Sequence, residues 1–394
     1  MQQVAGHLQE KKGYFYAVLS YKDVNNKRKT KWIATGLPVK GNKKKAEATL
    51  AEIRRTFKVP TAAPTDASNM ADMLFADYMI YWLDIIKQSV TLNTIAGYNT
   101  NIKRIIAPYF RELNVTLGDL QPKHIQDFYS ERLKVVKPNS VIRYHANIRK
   151  ALEYAVKMDY IAVNPIHKVE KPKKNSYIGN FYSVEEVERL FEVSKGTYLE
   201  VPALLGAFYG FRRSEVIGLR WKAIDFEQNT ITVNHTITVA EIDGERFIVP
   251  EDRAKNKSSL RTMPLVLPVK EKLLALKEQQ KLYQKKFKGS YNKEYLDYIC
   301  VDEIGNLIMP NYITSAFPTL LRKHDLRRIR FHDLRHTCAS LLLKNGVSMK
   351  QIQEWLGHSD FSTTANIYSH LDYESKIMSA NVMLEAVNLG EIAN

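Results

Sequence analysis

The chain has 394 residues, 45% of them hydrophobic, with 58 Lys and Arg against 42 Asp and Glu and a formal net charge of +16. That length supports two or three domains with substantial cores, and the charge points to an acidic partner, most simply nucleic acid. No apolar run approaches membrane-spanning length, the Met1-Gln2-Gln3 start does not read as a signal peptide, and Cys300 with Cys338 makes no disulfide framework, so a cytoplasmic, reducing setting is expected.

Residues 1–58 hold 14 basic and 4 acidic side chains, most of the chain's positive excess. Tyr14–Tyr21 reads as a strand and Lys27–Ala34 as its hairpin partner across Val24-Asn25-Asn26. Lys43–Phe57 reads as a helix with Ala46, Leu50, Ile53 and Phe57 on one side. Basic and aromatic residues alternate within the strands, which favours a DNA-reading sheet over a solvated charge run. Lys27, Arg28, Lys29 and Lys31 are its candidate contacts.

Residues 59–69, rich in Pro, Ala, Ser and Thr, read as a linker. Residues 70–165 are patterned as four helices: Met73–Ile86, Thr91–Phe110, Gln121–Val135 and Asn139–Asp159. Thr94, Tyr98 and Asn101 on the second, with Asn139, Ser140, Arg143 and Tyr144 on the fourth, are candidates to face DNA; the alternative is an ordinary wet helix surface. Residues 166–181, basic and containing Pro172, read as a second linker. Ser183-x-x-Glu186 caps the first helix of a domain over 182–394, mostly helical with a small β-meander around 224–268, in which Thr230–Thr238 reads as a strand. The fold class expected is therefore multidomain and mainly α with small β elements.

His332, Arg335 and His336 stand at i, i+3 and i+4, so a helix over His332–Lys344 puts them on one face, with Asn345-Gly346 as its stop. Ser348 with Gln351 reads as a capping box opening a short helix that ends at Gly357, and Ser362-Thr363-Thr364 opens a segment carrying Tyr368. Far upstream, Arg212 lies in GFRRSE. A phosphodiester under attack gains charge on its non-bridging oxygens, which planar, always-charged guanidiniums grip in pairs. A Tyr with an unperturbed pKa of about 10 needs such a cationic pocket, or a base, to act as nucleophile. Zinc is disfavoured because His332 and His336 lack the intervening Glu of the metalloprotease signature and no Cys pair supports a site. Asp325 and Asp333 form no obvious two-metal cluster.

Gly210-Phe211-Arg212-Arg213-Ser214-Glu215, His332-Asp333-Leu334-Arg335-His336, Leu356-Gly357-His358 and Tyr368 together resemble the tyrosine recombinases, most of all the site-specific integrases of conjugative transposons and phages. The resemblance implies that Arg212 and Arg335 clamp the scissile phosphate, with Glu215 buttressing the first and His336 as supporting structure. It implies that His332 acts as acid/base or donor, that His358 gives a further hydrogen bond, and that Tyr368 becomes joined to a DNA 3′ phosphate. In AKNKSSLRTMPL, Lys255 takes the position of the family's catalytic lysine, with Lys257 as the fallback.

It also implies an arm-type DNA-binding domain at 1–58, a core-binding helical domain at 70–165 and a catalytic domain at 182–394 whose last helix docks on a neighbouring protomer. The partners implied are double-stranded DNA at core and arm sites, a homotetramer on DNA, an excisionase and a host DNA-bending protein. No metal and no other cofactor is required. The rival readings are a type-IB topoisomerase and a non-catalytic DNA-binding regulator.

Overall fold

The computed structural model describes residues 5–11, 13–22, 28–57, 70–175, 180–252, 260–357, 380–381 and 383–384. The chain divides into two compact units, residues 1–89 with 98–174 and residues 175–394 with 90–97.

The chain begins with three antiparallel strands in the order β1 (Ala5–Lys11), β2 (Tyr14–Lys22), β3 (Arg28–Pro38), followed by helix α1 (Lys43–Thr56). Strand β1 completes the sheet and was not expected from the sequence. Helix α1 covers one face: a Cβ on Gly6 would meet Leu19 at 2.8 Å, Leu50 at 3.3 Å and Arg54 at 3.4 Å. A side chain there would crowd Leu19 on the neighbouring strand first and the helix side chains after it. Strand pairing then settles which side chains share the covered face, because residues directly opposite point the same way. Gly6 opposes Leu19, and Leu19 opposes Lys31; Val18, on the other face, opposes His7 and Trp32.

The following helices are α2 (Phe75–Ile86), α3 (Leu92–Asn101), α4 (Ala107–Leu113), α5 (Pro122–Leu133) and α6 (Pro138–Lys157). The expected single helix over Thr91–Phe110 is α3 and α4 joined by a π-helical turn over Ile102–Ile106. Phe75, Tyr78, Phe110, Phe128, Tyr129 and Ile148 form its apolar interior, all fully buried. One expectation fails here. Tyr144 is only 7% exposed, with its ring 6.0 Å from Phe128, so it belongs to the core and does not face DNA.

The second unit contains α7 (Val184–Ser194), α8 (Glu200–Phe208), α9 (Arg213–Ile217), α10 (Leu267–Phe287), α11 (Pro310–Lys323), α12 (Asp333–Lys344) and α13 (Met349–Leu356). Ser183 and Ser348 cap α7 and α13 as reciprocal capping boxes with Glu186 and Gln351. The strand expected over Thr230–Thr238 is broken. Thr230–Val233 (β5) pairs with β4 (Ile224–Asp225) and β8 (Arg261–Pro264), whereas His235–Ile242 (β6) leaves to form a separate hairpin with β7 (Glu245–Asp252). Asn234 is the residue between the two sheets. Phe211, Ile217, Ile231, Met263, Phe317 and Leu334 are among the buried side chains that make one continuous core under the site.

Candidate active site

Arg212 sits in extended backbone (φ −69°, ψ 151°) at the N-cap of α9, two residues after Gly210 with φ +66°. Glu215, three residues on, reaches back: its Oε2 accepts from the Arg212 backbone N–H at 2.9 Å and its Oε1 from Arg212 Nη1 at 2.7 Å. The Glu215 side chain is fully buried, while that of Arg212 is 29% exposed. One end of the guanidinium is thus pinned from below and the rest reaches the surface.

Arg335, on the first turns of α12, is 2% exposed. Its Nη1 donates to the carbonyl of Gly210 at 2.7 Å and its Nη2 to that of Leu356 at 2.6 Å. Arg212 Nη2 donates to the next carbonyl, Gly357, at 3.2 Å. The two acceptors at 356 and 357 lie at the C-terminus of α13, where helix carbonyls lack intrahelical partners and carry the negative end of the dipole. Two arginines from distant segments are therefore tied to one helix end. Gly210 serves this knot through its left-handed backbone: a Cβ there would run into a Leu356 methyl carbon.

His332 is the N-cap of α12, exposed on one side, with its ring 5.4 Å from that of His336 and nearly perpendicular to it. Partial desolvation against the site wall, then His336 and the Arg335, Arg212 and Arg330 cations, lower the His332 pKa to about 4. The imidazole is neutral at pH 7 and able to accept a proton or a hydrogen bond. Asp333 is buried and holds Arg330: it accepts from the Arg330 backbone N–H at 2.8 Å and pairs with its guanidinium at 2.7 Å. That pair fixes the turn presenting His332. His336 is half-buried, and its Nδ1 has no hydrogen-bond partner among the described residues.

The balance of charge centres on Glu215. Burial alone would raise its pKa, but Arg261, Arg212 and Arg335 outweigh it and hold the carboxyl at about 2. Arg335 is pushed below the ordinary arginine range by burial first and by neighbouring Arg212 second, with Glu215 opposing both. An open cavity of about 730 Å³ lies against this knot, lined by Arg212, Arg213, Thr314, Arg328, Arg330 and His332 among others. Its cationic wall suits an anionic backbone.

The structure thus brings together Arg212, Glu215, His332, Arg335 and His336 from two stretches over a hundred residues apart in sequence. Tyr368, His358, Lys255 and its fallback Lys257 lie outside the described residues, as does Lys27. Arg28 shares the open face of the first sheet with Trp32, whereas the register puts Lys31 on the face that carries α1; the side chain of Lys29 lies outside the described residues. Lys31 Nζ lies 5.7 Å over the Phe57 ring. Tyr98 stacks on Trp82 and accepts from Lys150 at 2.9 Å; Asn101 donates to Asn147 at 2.9 Å. Asn139 and Arg143 are exposed, and Thr94 and Ser140 half-buried.

The sequence reading passed over Arg213, Arg328 and Arg330 on the cavity wall, and Arg261 beneath it. For Arg261 a signal existed: it occupies an inward position, with Met263, in the alternating strand β8.

Residues 180–375 match the model of the phage integrase family, and residues 74–133 that of the phage integrase N-terminal SAM-like domain. The chain is 29% identical over 319 residues to a "Tyrosine recombinase XerC-like" protein of Caldanaerobacter subterraneus subsp. tengcongensis, covering 76% of this chain and 80% of that one. It is 25% identical over 330 residues to the integrase of Staphylococcus phage L54a, covering 77% and 91%. The Tn1549 transposon integrase in complex with transposon right end DNA superposes with a TM-score of 0.61 at 18% identity, over 80% of this chain and all of that one. A lambda integrase tetramer bound to a Holliday junction does so with a TM-score of 0.55 at 17% identity, over 91% and 94%.

Proposed function

The chain belongs to the tyrosine recombinase family, and from that membership we propose that it is a site-specific DNA recombinase that integrates and excises a mobile element. The observation that carries the reading is the knot itself: Arg212 and His332 line one cationic wall, and buried Arg335 is tied beside Arg212 to the end of α13, the helix that precedes His358 and Tyr368 in the chain. In the proposed reaction the Tyr368 oxygen attacks the scissile phosphorus, forming a Tyr–phosphate bond as the bond to the 5′ oxygen breaks. Arg212 and Arg335 hold the non-bridging oxygens, neutral His332 accepts a proton or hydrogen bond, His358 donates another, and Lys255 gives the leaving 5′ oxygen its proton. The phosphodiester energy stays in the 3′-phosphotyrosyl link, so the 5′ hydroxyl of a partner strand reverses the attack without ATP or metal. Two such rounds pass through a four-way junction.

Residues 1–58 are assigned to arm sites, 70–165 to the core site and 182–394 to catalysis, with linkers at 59–69 and 166–181. Within the first sheet, the face away from α1 is the stronger candidate reader. It presents Gln9, Tyr16, Arg28 and Trp32, with Lys11 Nζ 5.5 Å over the Trp32 ring and Trp32 45% exposed. Outlying arm contacts raise the effective concentration of the weaker core contacts. A homotetramer on DNA joined through C-terminal helices, an excisionase, a host bending protein and a cytoplasmic setting complete the proposal. Among the described residues no helix is long and apolar enough to cross a membrane.

The test is incubation of the full chain with nicked duplexes spanning candidate element ends. A protein–DNA adduct that survives denaturation and vanishes in Tyr368→Phe is expected. Joining of two different duplexes separates recombinase from topoisomerase, and absence of any adduct leaves only a DNA-binding regulator.

A further inference from the structure

We propose that Arg261, a buried residue on β8 that no part of the catalytic set includes, is the positioning residue that keeps Arg212 turned toward the phosphate by sharing the Glu215 carboxylate with it. The proposal rests on the recombinase reading and deepens it.

Arg261 is 8% exposed, too buried to meet DNA. Its Nη2 donates to Glu215 Oε2 at 2.9 Å and its Nη1 reaches Oε1 at 3.4 Å, a forked grip on both oxygens. Its guanidinium carbon lies 5.2 Å over the ring of Phe211, the residue before Arg212. Glu215 therefore stands between two guanidiniums, one buried and one at the surface. Each of its oxygens serves both arginines: Oε1 takes Arg212 Nη1 and Arg261 Nη1, and Oε2 takes the Arg212 backbone N–H and Arg261 Nη2.

Half-neutralised in this way, the carboxylate anchors Arg212 at one nitrogen. Without Arg261, a fully buried carboxylate would lose its forked partner and would draw Arg212 into the pairing that Arg261 now makes. The Arg212 nitrogens would then turn inward, away from the Gly357 carbonyl and the cavity. A shift of this kind costs rate through geometry while leaving the groove's other cations in place. Arg261 also opens the strand that follows residues 253–259, the stretch of sequence that contains Lys255, so this strand is held to the first arginine box through the Glu215 carboxylate and the Phe211 ring.

The experiment compares wild type, Arg261→Lys and Arg261→Met on one core duplex on which the wild-type chain forms its Tyr368-dependent adduct. That duplex is made in two forms, with an ordinary scissile phosphate and with a neutral methylphosphonate there. Lysine keeps the charge but not the fork, and methionine removes both.

If Arg261 acts by aiming Arg212 at phosphate charge, adduct formation on the phosphate duplex falls on the order of 10- to 100-fold while DNA affinity stays within about 3-fold. On the methylphosphonate, which has less charge for Arg212 to meet, the same variants lose several-fold less. Equal losses on both duplexes would show that Arg261 merely supports the fold, and unchanged rates in both variants would show that Arg212 is aimed without it; either overturns the proposal. Should Arg261→Met fail to fold, Arg261→Lys carries the same comparison. A wild-type chain that forms no adduct overturns the recombinase reading, and this inference with it.

Discussion

Replacing Arg335 with lysine tests whether this side chain is a structural knot as well as a phosphate ligand. In the wild type two charge-assisted hydrogen bonds run from one buried guanidinium to carbonyls of two separate segments, Gly210 at 2.7 Å and Leu356 at 2.6 Å. Each such bond is worth about 1.5–3 kcal/mol, and an ammonium on a flexible stem can serve one of these carbonyls but not both. Arg335→Lys should therefore cost roughly 2–3 kcal/mol through the second, orphaned carbonyl. For a unit of this size 1 kcal/mol lowers Tm by about 2–4 °C, so the catalytic unit should melt roughly 5–10 °C lower. The assay is thermal unfolding of the full chain beside adduct formation on a nicked core duplex, where losing a transition-state donor should cost about 10²- to 10³-fold. A variant that loses cleavage yet melts within a degree of wild type would refute the reasoning, because the two carbonyl contacts would then contribute nothing.

Gly210→Ala should destabilise the same unit by about 2–4 kcal/mol and lower adduct yield, since a Cβ meets both a left-handed backbone and a fully buried Leu356; chemical denaturation measures it. Glu215 is held at about 2 when folded, against about 4.3 when unfolded, so its contribution is complete above about pH 4.3 and fades as pH falls toward 2; it amounts to about 3 kcal/mol. Urea midpoints measured across that window should fall for wild type and stay flatter for Glu215→Gln. His332, lowered to about 4 without DNA, should take up a proton on meeting an anionic phosphate at pH 5, because a nearby negative charge raises an imidazole pKa. Calorimetry in buffers of different ionisation enthalpy reads that uptake, and His332→Gln should abolish it. Trp32→Ala should weaken binding to arm-site duplexes by about 10-fold while leaving adduct formation on an isolated core duplex unchanged, as a gel-shift titration would show.

Much of the local structure was written in short-range chemistry. Ser183 with Glu186 and Ser348 with Gln351 cap helices because a hydroxyl and a carboxyl or amide three residues apart satisfy two orphan N–H groups whatever surrounds them. The spacing of His332, Arg335 and His336 likewise fixed a shared helix face, and the order of the four boxes carried the family resemblance. Tyr144 and Asn234 mark where such reasoning stopped. Tyr144 has the polar neighbours of a surface position, but the ring of Phe128 on another helix buries it. The β-branched run around Asn234 looks continuous, and only pairing with β8 on one side and β7 on the other divides it between two sheets.

Sequence by itself determined the chemical kit: guanidiniums, imidazoles and a tyrosine in an order that only phosphate chemistry explains well. Tertiary structure alone decided how the kit is held. The carbonyls that bind Arg335 and the second arginine that shares Glu215 come from segments tens to over a hundred residues away. Hydrogen bonds and buried ion pairs are set by distance in space, which the spacing of residues along a chain does not encode.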